Sequence, residues 1–208
     1  MRLIGMLDSP YVRRVAISLE FLRVPFVHES LSVFSTFKEF QAINPVVKAP
    51  TLICDDGTVL MDSSLILQFI EAQKGLSLWS LEPLQLQLEM RAVSLALAGC
   101  EKTVQILYER NLRPPTAQHE PWIERVRGQL RAAYAALEAE VAAHPAMFTN
   151  PRSQASITAA VAWQFTQFFL ASEVPKDQHP SLVALSYRME RTPEFLKYPP
   201  DGPGVPST

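Results

Sequence analysis

Asn44-Pro45-Val46-Val47-Lys48-Ala49-Pro50-Thr51-Leu52 leads into a hairpin signal, Asp55-Asp56-Gly57-Thr58, and then into Asp62-Ser63-Ser64-Leu65-Ile66. A proline directly ahead of an apolar strand, and an acid–serine pair opening a helix, are odd choices for scaffold alone. They make sense if the two segments aim backbone amides at a small anionic peptide. Upstream, Ser9-Pro10-Tyr11 follows the apolar stretch Arg2 to Leu7, giving a third segment of the same character.

Working outward, Leu3 to Leu7 reads as a buried strand and Tyr11 to Leu22 as a helix with Val15, Leu19 and Leu22 on one face. Pro10 suits the first helical turn, where its missing N–H costs nothing. Pro25 to Glu29 reads as a second strand and Thr36 to Ile43 as a short helix or irregular turn. Thr51 to Cys54 and Val59 to Met61 flank the Asp-Asp-Gly-Thr turn as a hairpin. Ser63 to Lys74 reads as a helix stopped by Gly75. Strand, helix, strand, helix, hairpin, helix is a small α/β sandwich whose first two strands need a crossover helix.

After Leu76 to Pro83 the grammar changes. Leu86, Met90, Val93, Leu97, Cys100, Val104 and Leu107 step by fours and threes, one long helical stripe ended by Pro114-Pro115. A second helix starts near Trp122, with Val126, Leu130, Ala133, Leu137 and Val141 inward. Gln154 to Leu170 is apolar on nearly every side and should be central. His179-Pro180-Ser181 starts a last helix ending near Arg191-Thr192-Pro193. The expected organisation is α/β followed by all-α: a domain over residues 1–75, a linker over 76–83, a helical domain over 84–198, and a proline- and glycine-rich tail over 199–208 expected to be poorly ordered.

Composition narrows the function. The 208 residues carry a formal charge of −2, which supplies no basic footprint for nucleic acid. No polybasic or lipidation signal points to a membrane surface. Asp8, Arg13, Arg14 and Glu20 interrupt any signal-peptide core in the first 22 residues, so a cytoplasmic location is expected. The two cysteines, Cys54 and Cys100, form neither a Cys-x-x-Cys pair nor a zinc-ligand spacing; no metal is expected, and both read as buried, reduced thiols.

A thioredoxin-like sandwich followed by a helical domain resembles the cytosolic glutathione S-transferases (GSTs), and four segments carry the resemblance. Ser9-Pro10-Tyr11-Val12-Arg13-Arg14 is similar to the serine-type active-site turn of bacterial-like members. Asn44-Pro45 through Lys48-Ala49-Pro50-Thr51-Leu52 is similar to the family's Asn-Pro … Lys-Val-Pro-x-Leu segment, whose proline is cis. Asp62-Ser63 stands where the family usually has Glu-Ser. His179-Pro180 through Arg191-Thr192-Pro193-Glu194-Phe195 resembles the C-terminal helix.

The resemblance implies roles, and each residue also has a structural reading. Ser9 is a natural helix cap; the resemblance makes it the catalytic donor that holds the glutathione sulfur as thiolate, the reacting nucleophile. Tyr11 is the second donor candidate. Ala49, beside Pro50, would pair its backbone with the cysteinyl amide of glutathione, a one-residue version of strand addition. Lys48 would meet the glycyl carboxylate, or is simply a solvated lysine. Asp62 and Ser63 cap a helix, or receive the γ-glutamyl ammonium and carboxylate respectively. Here aspartate is one methylene shorter than the family's glutamate, Val46-Val47 replaces residues that include a glycine, and Ser156 replaces the aspartate of a capping box begun by Ser153, a modest expected loss of stability. Tyr11, Phe34 and Tyr108, with Phe37, Cys100 and Thr103 as further wall residues, are assigned to a second-substrate pocket.

The expected function is a homodimeric GST-like enzyme that conjugates glutathione, its co-substrate, to a small hydrophobic electrophile, a detoxification chemistry. A glutathione-dependent isomerase or dehalogenase uses the same site, and a non-catalytic protein-interaction module uses the same fold.

Overall fold

The computed structural model describes residues 1–206. Two compact units emerge: Met1–Leu78 joined by Pro193–Gly204, and Trp79–Thr192 joined by the chain from Val205.

The first unit runs β1 (Arg2–Ile4), α1 (Pro10–Phe21), β2 (Val27–Glu29), α2 (Phe37–Ile43), β3 (Thr51–Ile53), β4 (Val59–Met61) and α3 (Ser63–Lys74). The sheet order is β2-β1-β3-β4. β1 and β2 are parallel, which requires the α1 crossover; β3 is antiparallel to β1 and forms a hairpin with β4. Leu3, Ile4 and Leu52 from the strands meet Val12, Val15, Leu19, Ile66 and Ile70 from α1 and α3, all fully buried. This is a thioredoxin-like sandwich.

A short helix, α8 (Pro193–Lys197), belongs to this unit and packs on α1. Arg13 Nε donates to the Tyr198 carbonyl at 2.8 Å, and its guanidinium lies 5.2 Å from the centroid of the Phe195 ring. The sequence reading assigns this segment to the helical domain. Pro193 restarts the chain as a new helix, and Phe195 is buried against α1, a partner that periodicity within the segment does not reveal. The following residues are held in place rather than loose: the Asp8 amide donates to the Asp201 carbonyl at 3.0 Å, and the Gly204 amide donates to Asp8 Oδ2 at 2.8 Å. Residues 207 and 208, the end of the expected tail, lie outside the described residues.

The second unit is helical: α4 (Pro83–Asn111), α5 (Glu120–Ala143), α6 (Gln154–Leu170) and α7 (Pro180–Met189). Every residue of α6 from Gln154 to Trp163 is buried, as its all-round apolar sequence requires. Tyr134 on α5 is fully buried, its hydroxyl donating to the Ala162 carbonyl at 2.8 Å, and Thr166 lies 2.7 Å from both Tyr134 Oη and Thr103 Oγ1. A Cβ on Gly99 would approach the Tyr134 ring to 2.8 Å, so glycine permits α4 and α5 to come this close. Ser153 caps α6 by accepting from the Ser156 amide at 3.1 Å. The Ser156 hydroxyl donates to the Phe148 carbonyl at 3.3 Å, so it ties the preceding turn to the cap instead of returning a bond to the Ser153 amide.

Candidate functional site

Strand register brings the separate sequence segments together. Ile4 pairs with Thr51, and Thr51 pairs with Met61, both antiparallel. One residue beyond the paired strands, Gly5, Pro50 and Asp62 therefore follow in a row at one end of the sheet. A Cβ placed on Gly5, which has φ +139°, would come within 2.5 Å of Val12 Cγ2 and 3.2 Å of Ala49 Cβ. Only glycine allows the Ser9 turn, α1 and the Ala49 segment to pack this closely.

Ser9 occupies the N-cap position of α1 and is half-buried, yet its side chain makes no capping hydrogen bond. Its carbonyl accepts from the Arg13 amide at 3.0 Å, so the backbone serves the cap and the hydroxyl stands at a helix N-terminus without that duty. The neighbouring Asp8 carboxyl has its pKa raised by burial, against the lowering effect of the Gly204 amide.

The Ala49–Pro50 bond is cis. The loop before it hangs on Asn44, which is only 4% exposed. Its Nδ2 donates to Thr51 Oγ1 at 2.8 Å, its Oδ1 accepts from the Val46 amide at 3.0 Å, and its carbonyl accepts from the Val47 amide at 2.9 Å. Thr51 Oγ1 in turn donates to the Lys48 carbonyl at 2.7 Å. Asn44 is thus the anchor of the loop. Val47 has φ +52°, a left-handed conformation that a β-branched side chain strongly disfavours. A glycine is expected at this loop for that reason.

Asp62 is the N-cap of α3, with φ +72° and ψ 123°, another sparsely populated backbone state. Its Oδ1 accepts from the Ser64 amide at 2.9 Å and its Oδ2 lies 3.6 Å from Lys48 Nζ. Both structural readings, cap and surface charge, are therefore realised for these two residues, in contact with each other. Ser63 is buried and accepts from Arg14 Nη1 at 3.1 Å; the same nitrogen donates to Ser64 Oγ at 3.0 Å. Arg14 was not among the candidate residues, because in sequence it is one charge in the Arg13-Arg14 pair of an amphipathic helix.

Tyr11 and Phe34 are half-buried within the first unit. In the second unit Tyr108 on α4 is 40% exposed, with its hydroxyl pKa raised by burial, while Cys100 and Thr103 are buried in the helix packing. Phe37 is exposed on α2. Cys54 is half-buried and its thiol pKa is raised by burial and by Asp56 and Asp55, so it is protonated at neutral pH. Among the described residues no group of three histidine, cysteine, aspartate or glutamate side chains is placed to hold a metal, and no helix is long and apolar enough to cross a membrane.

A family profile described as "Glutathione S-transferase, N-terminal domain" matches residues 3–78, the span that carries Ser9, the Asn44–Thr51 loop and Asp62-Ser63. The first unit matches the N-terminal domain of the glutathione S-transferases. A glutathione transferase family member from Pseudomonas fluorescens Pf-5, solved with bound glutathione, is 28% identical, and the two superpose with a TM-score of 0.82 over 97% of this chain and 99% of that one. A GST from Methylobacillus flagellatus KT, solved with glutathione bound, shares the fold at a TM-score of 0.86, covering 96% of this chain and 99% of its own, with 20% identity. The "Uncharacterized GST-like protein YibF" of Escherichia coli K12 is 24% identical over 139 residues, 66% of this chain and 68% of its own.

Proposed function

We propose that this chain is a glutathione transferase that binds glutathione in its first unit and transfers the thiolate to the carbon of a small hydrophobic electrophile. The observation that carries this reading is Ser9: a hydroxyl at the N-terminus of α1 that is not spent on capping that helix. Donation from such a hydroxyl, with the positive end of α1 behind it, favours the charged form of a nearby thiol and lowers its pKa. The sulfur then attacks, a bond forms between sulfur and the electrophilic carbon, and the leaving group or developing anion takes the electrons. Rate comes from ionising and positioning the nucleophile.

Glutathione would lie along the row of Gly5, Pro50 and Asp62. Its γ-glutamyl carboxylate would take the Ser63 hydroxyl at the N-terminus of α3, its ammonium would face Asp62, the Ala49 backbone would pair with the cysteinyl amide, and Lys48 would meet the glycyl carboxylate. To serve both ends, Lys48 and Asp62 must separate from their present 3.6 Å contact. Tyr11 and Phe34 of the first unit are proposed to contact the electrophile. Their apolar bodies suit a hydrophobic partner.

Calorimetry tests the site. Millimolar or tighter binding of glutathione that Ser63→Ala weakens supports it; no binding at about 10 mM, a free energy weaker than roughly −2.7 kcal/mol, removes it. Binding without conjugation of any electrophile in a panel favours the interaction-module reading instead.

The same reading includes a homodimer in the cytoplasm. The first unit exposes Leu65 and Phe69 one turn apart on α3, together with Val46 and Met61, an apolar surface of the kind a second copy covers. Light scattering should give twice the 23.3 kDa chain mass, and Phe69→Glu should halve it.

A further inference from the structure

Arg14 is 2% exposed, an expensive place for a guanidinium, and its Nη1 bridges two hydroxyls, Ser63 Oγ at 3.1 Å and Ser64 Oγ at 3.0 Å. Those serines are the first two residues of α3. A serine oxygen that accepts from a permanent cation keeps its own proton for donation elsewhere, and the bond polarises that O–H. One buried charge therefore turns two adjacent hydroxyls into oriented donors at a helix N-terminus. The Ser64 amide is already taken by Asp62 Oδ1 at 2.9 Å, which leaves the hydroxyls as the side-chain donors of this turn.

The Glu71 carboxylate beside it feels the Arg14 charge. The geometry points to Arg14 as the positioning residue of the carboxylate subsite, and we propose that it aims the Ser63 and Ser64 hydroxyls at the γ-glutamyl carboxylate. This rests on the glutathione reading above and adds to it a buried cation that never touches the ligand. Lysine in its place would keep the charge but lose the planar fork that lets a fixed nitrogen hold both oxygens.

The test compares two ligands on the full chain: glutathione, and 4-aminobutanoyl-cysteinylglycine, which lacks only the γ-glutamyl carboxylate. Arg14→Lys is expected to weaken glutathione about tenfold, the loss of one charge-assisted contact, and to leave the decarboxylated analogue within about twofold. Arg14→Met should weaken glutathione further, about a hundredfold, with lysine restoring part of the loss. If the buried methionine variant fails to fold, Ser64→Ala at an exposed position replaces it: it should weaken glutathione selectively, and less so in the Arg14→Lys background. Equal weakening of both ligands, or none in a folded Arg14→Lys protein that still depends on Ser63, overturns the assignment and leaves the glutathione site standing. Failure of the wild type to bind glutathione overturns both.

Discussion

Lys48 Nζ stands 3.6 Å from Asp62 Oδ2, closing the loop before β3 onto the N-cap of α3. Both side chains are roughly half exposed, at 53% and 44%, so the pair belongs to the class worth at most about 1 kcal/mol. Lys48→Met should therefore change stability by less than ~1 kcal/mol in a denaturant titration. If the lysine meets a ligand carboxylate, the same substitution should weaken glutathione several-fold by calorimetry, about 1 kcal/mol or more. Equal binding by the variant would leave Lys48 as a surface cation only.

Val47 holds φ +52° in the loop anchored by Asn44. The left-handed state costs an L-residue about 1–2 kcal/mol, against about 0.5–1 kcal/mol of extra chain entropy for glycine. Val47→Gly should stabilise the protein by up to about 1 kcal/mol, a rise of roughly 2–4 °C in Tm. A fall in Tm would show that the exposed-side packing of the valine outweighs its backbone strain.

Ser9 and Ser153 hold the same formal position, N-cap, in α1 and α6, but only Ser153 accepts a side-chain capping bond, from Ser156 at 3.1 Å. Ser153→Ala should cost about 1 kcal/mol and Ser9→Ala less than about 0.5 kcal/mol. Ser9→Ala should instead reduce the conjugation rate by about 10–1000-fold with glutathione affinity nearly unchanged, the signature of a group that acts on the developing thiolate. A stability loss at Ser9 equal to that at Ser153 would return it to a capping role.

Asp8 supplies a pH test. Burial raises its carboxyl pKa, the Gly204 amide opposes that rise, and nearby Asp201 adds to it. The folded protein thus binds this proton more tightly than the unfolded chain does, and the stability contribution of Asp8 declines as pH climbs from the unfolded value near ~3.9 through the raised folded value. Asp8→Asn keeps an acceptor for Gly204 and removes the buried charge. Its Tm should exceed that of the wild type at pH 7, and the gap should close below about pH 3.9. A gap independent of pH would place the effect elsewhere.

Much of the fold was legible because local chemistry and tertiary need agree. The α3 boundaries follow from Asp62, which caps through Ser64 at 2.9 Å, and from Gly75 at φ +63°, which ends the helix. The burial of α6 from Gln154 to Trp163 follows from a stretch with no polar face. The hairpin follows from Asp55-Asp56-Gly57-Thr58 between two apolar runs.

Other features depended on contacts that no local pattern encodes. Phe195 joins the first unit because Arg13 lies over its ring, 182 residues earlier in the chain (195 − 13). Asn44 becomes an anchor only once Thr51 turns toward it. Pro50 and Asp62 stand out in the sequence, but their alignment with Gly5 comes from the pairing of Ile4 with Thr51 and of Thr51 with Met61. Sequence alone determined the strands and the helices α1 to α7, their order and the residue types at three helix and strand ends, since these follow from periodicity, capping and turn chemistry. Tertiary structure alone decided that Arg14 is buried beneath Ser63 and Ser64: a charge on an amphipathic helix reads as solvated until hydroxyls 49 and 50 residues away close over it.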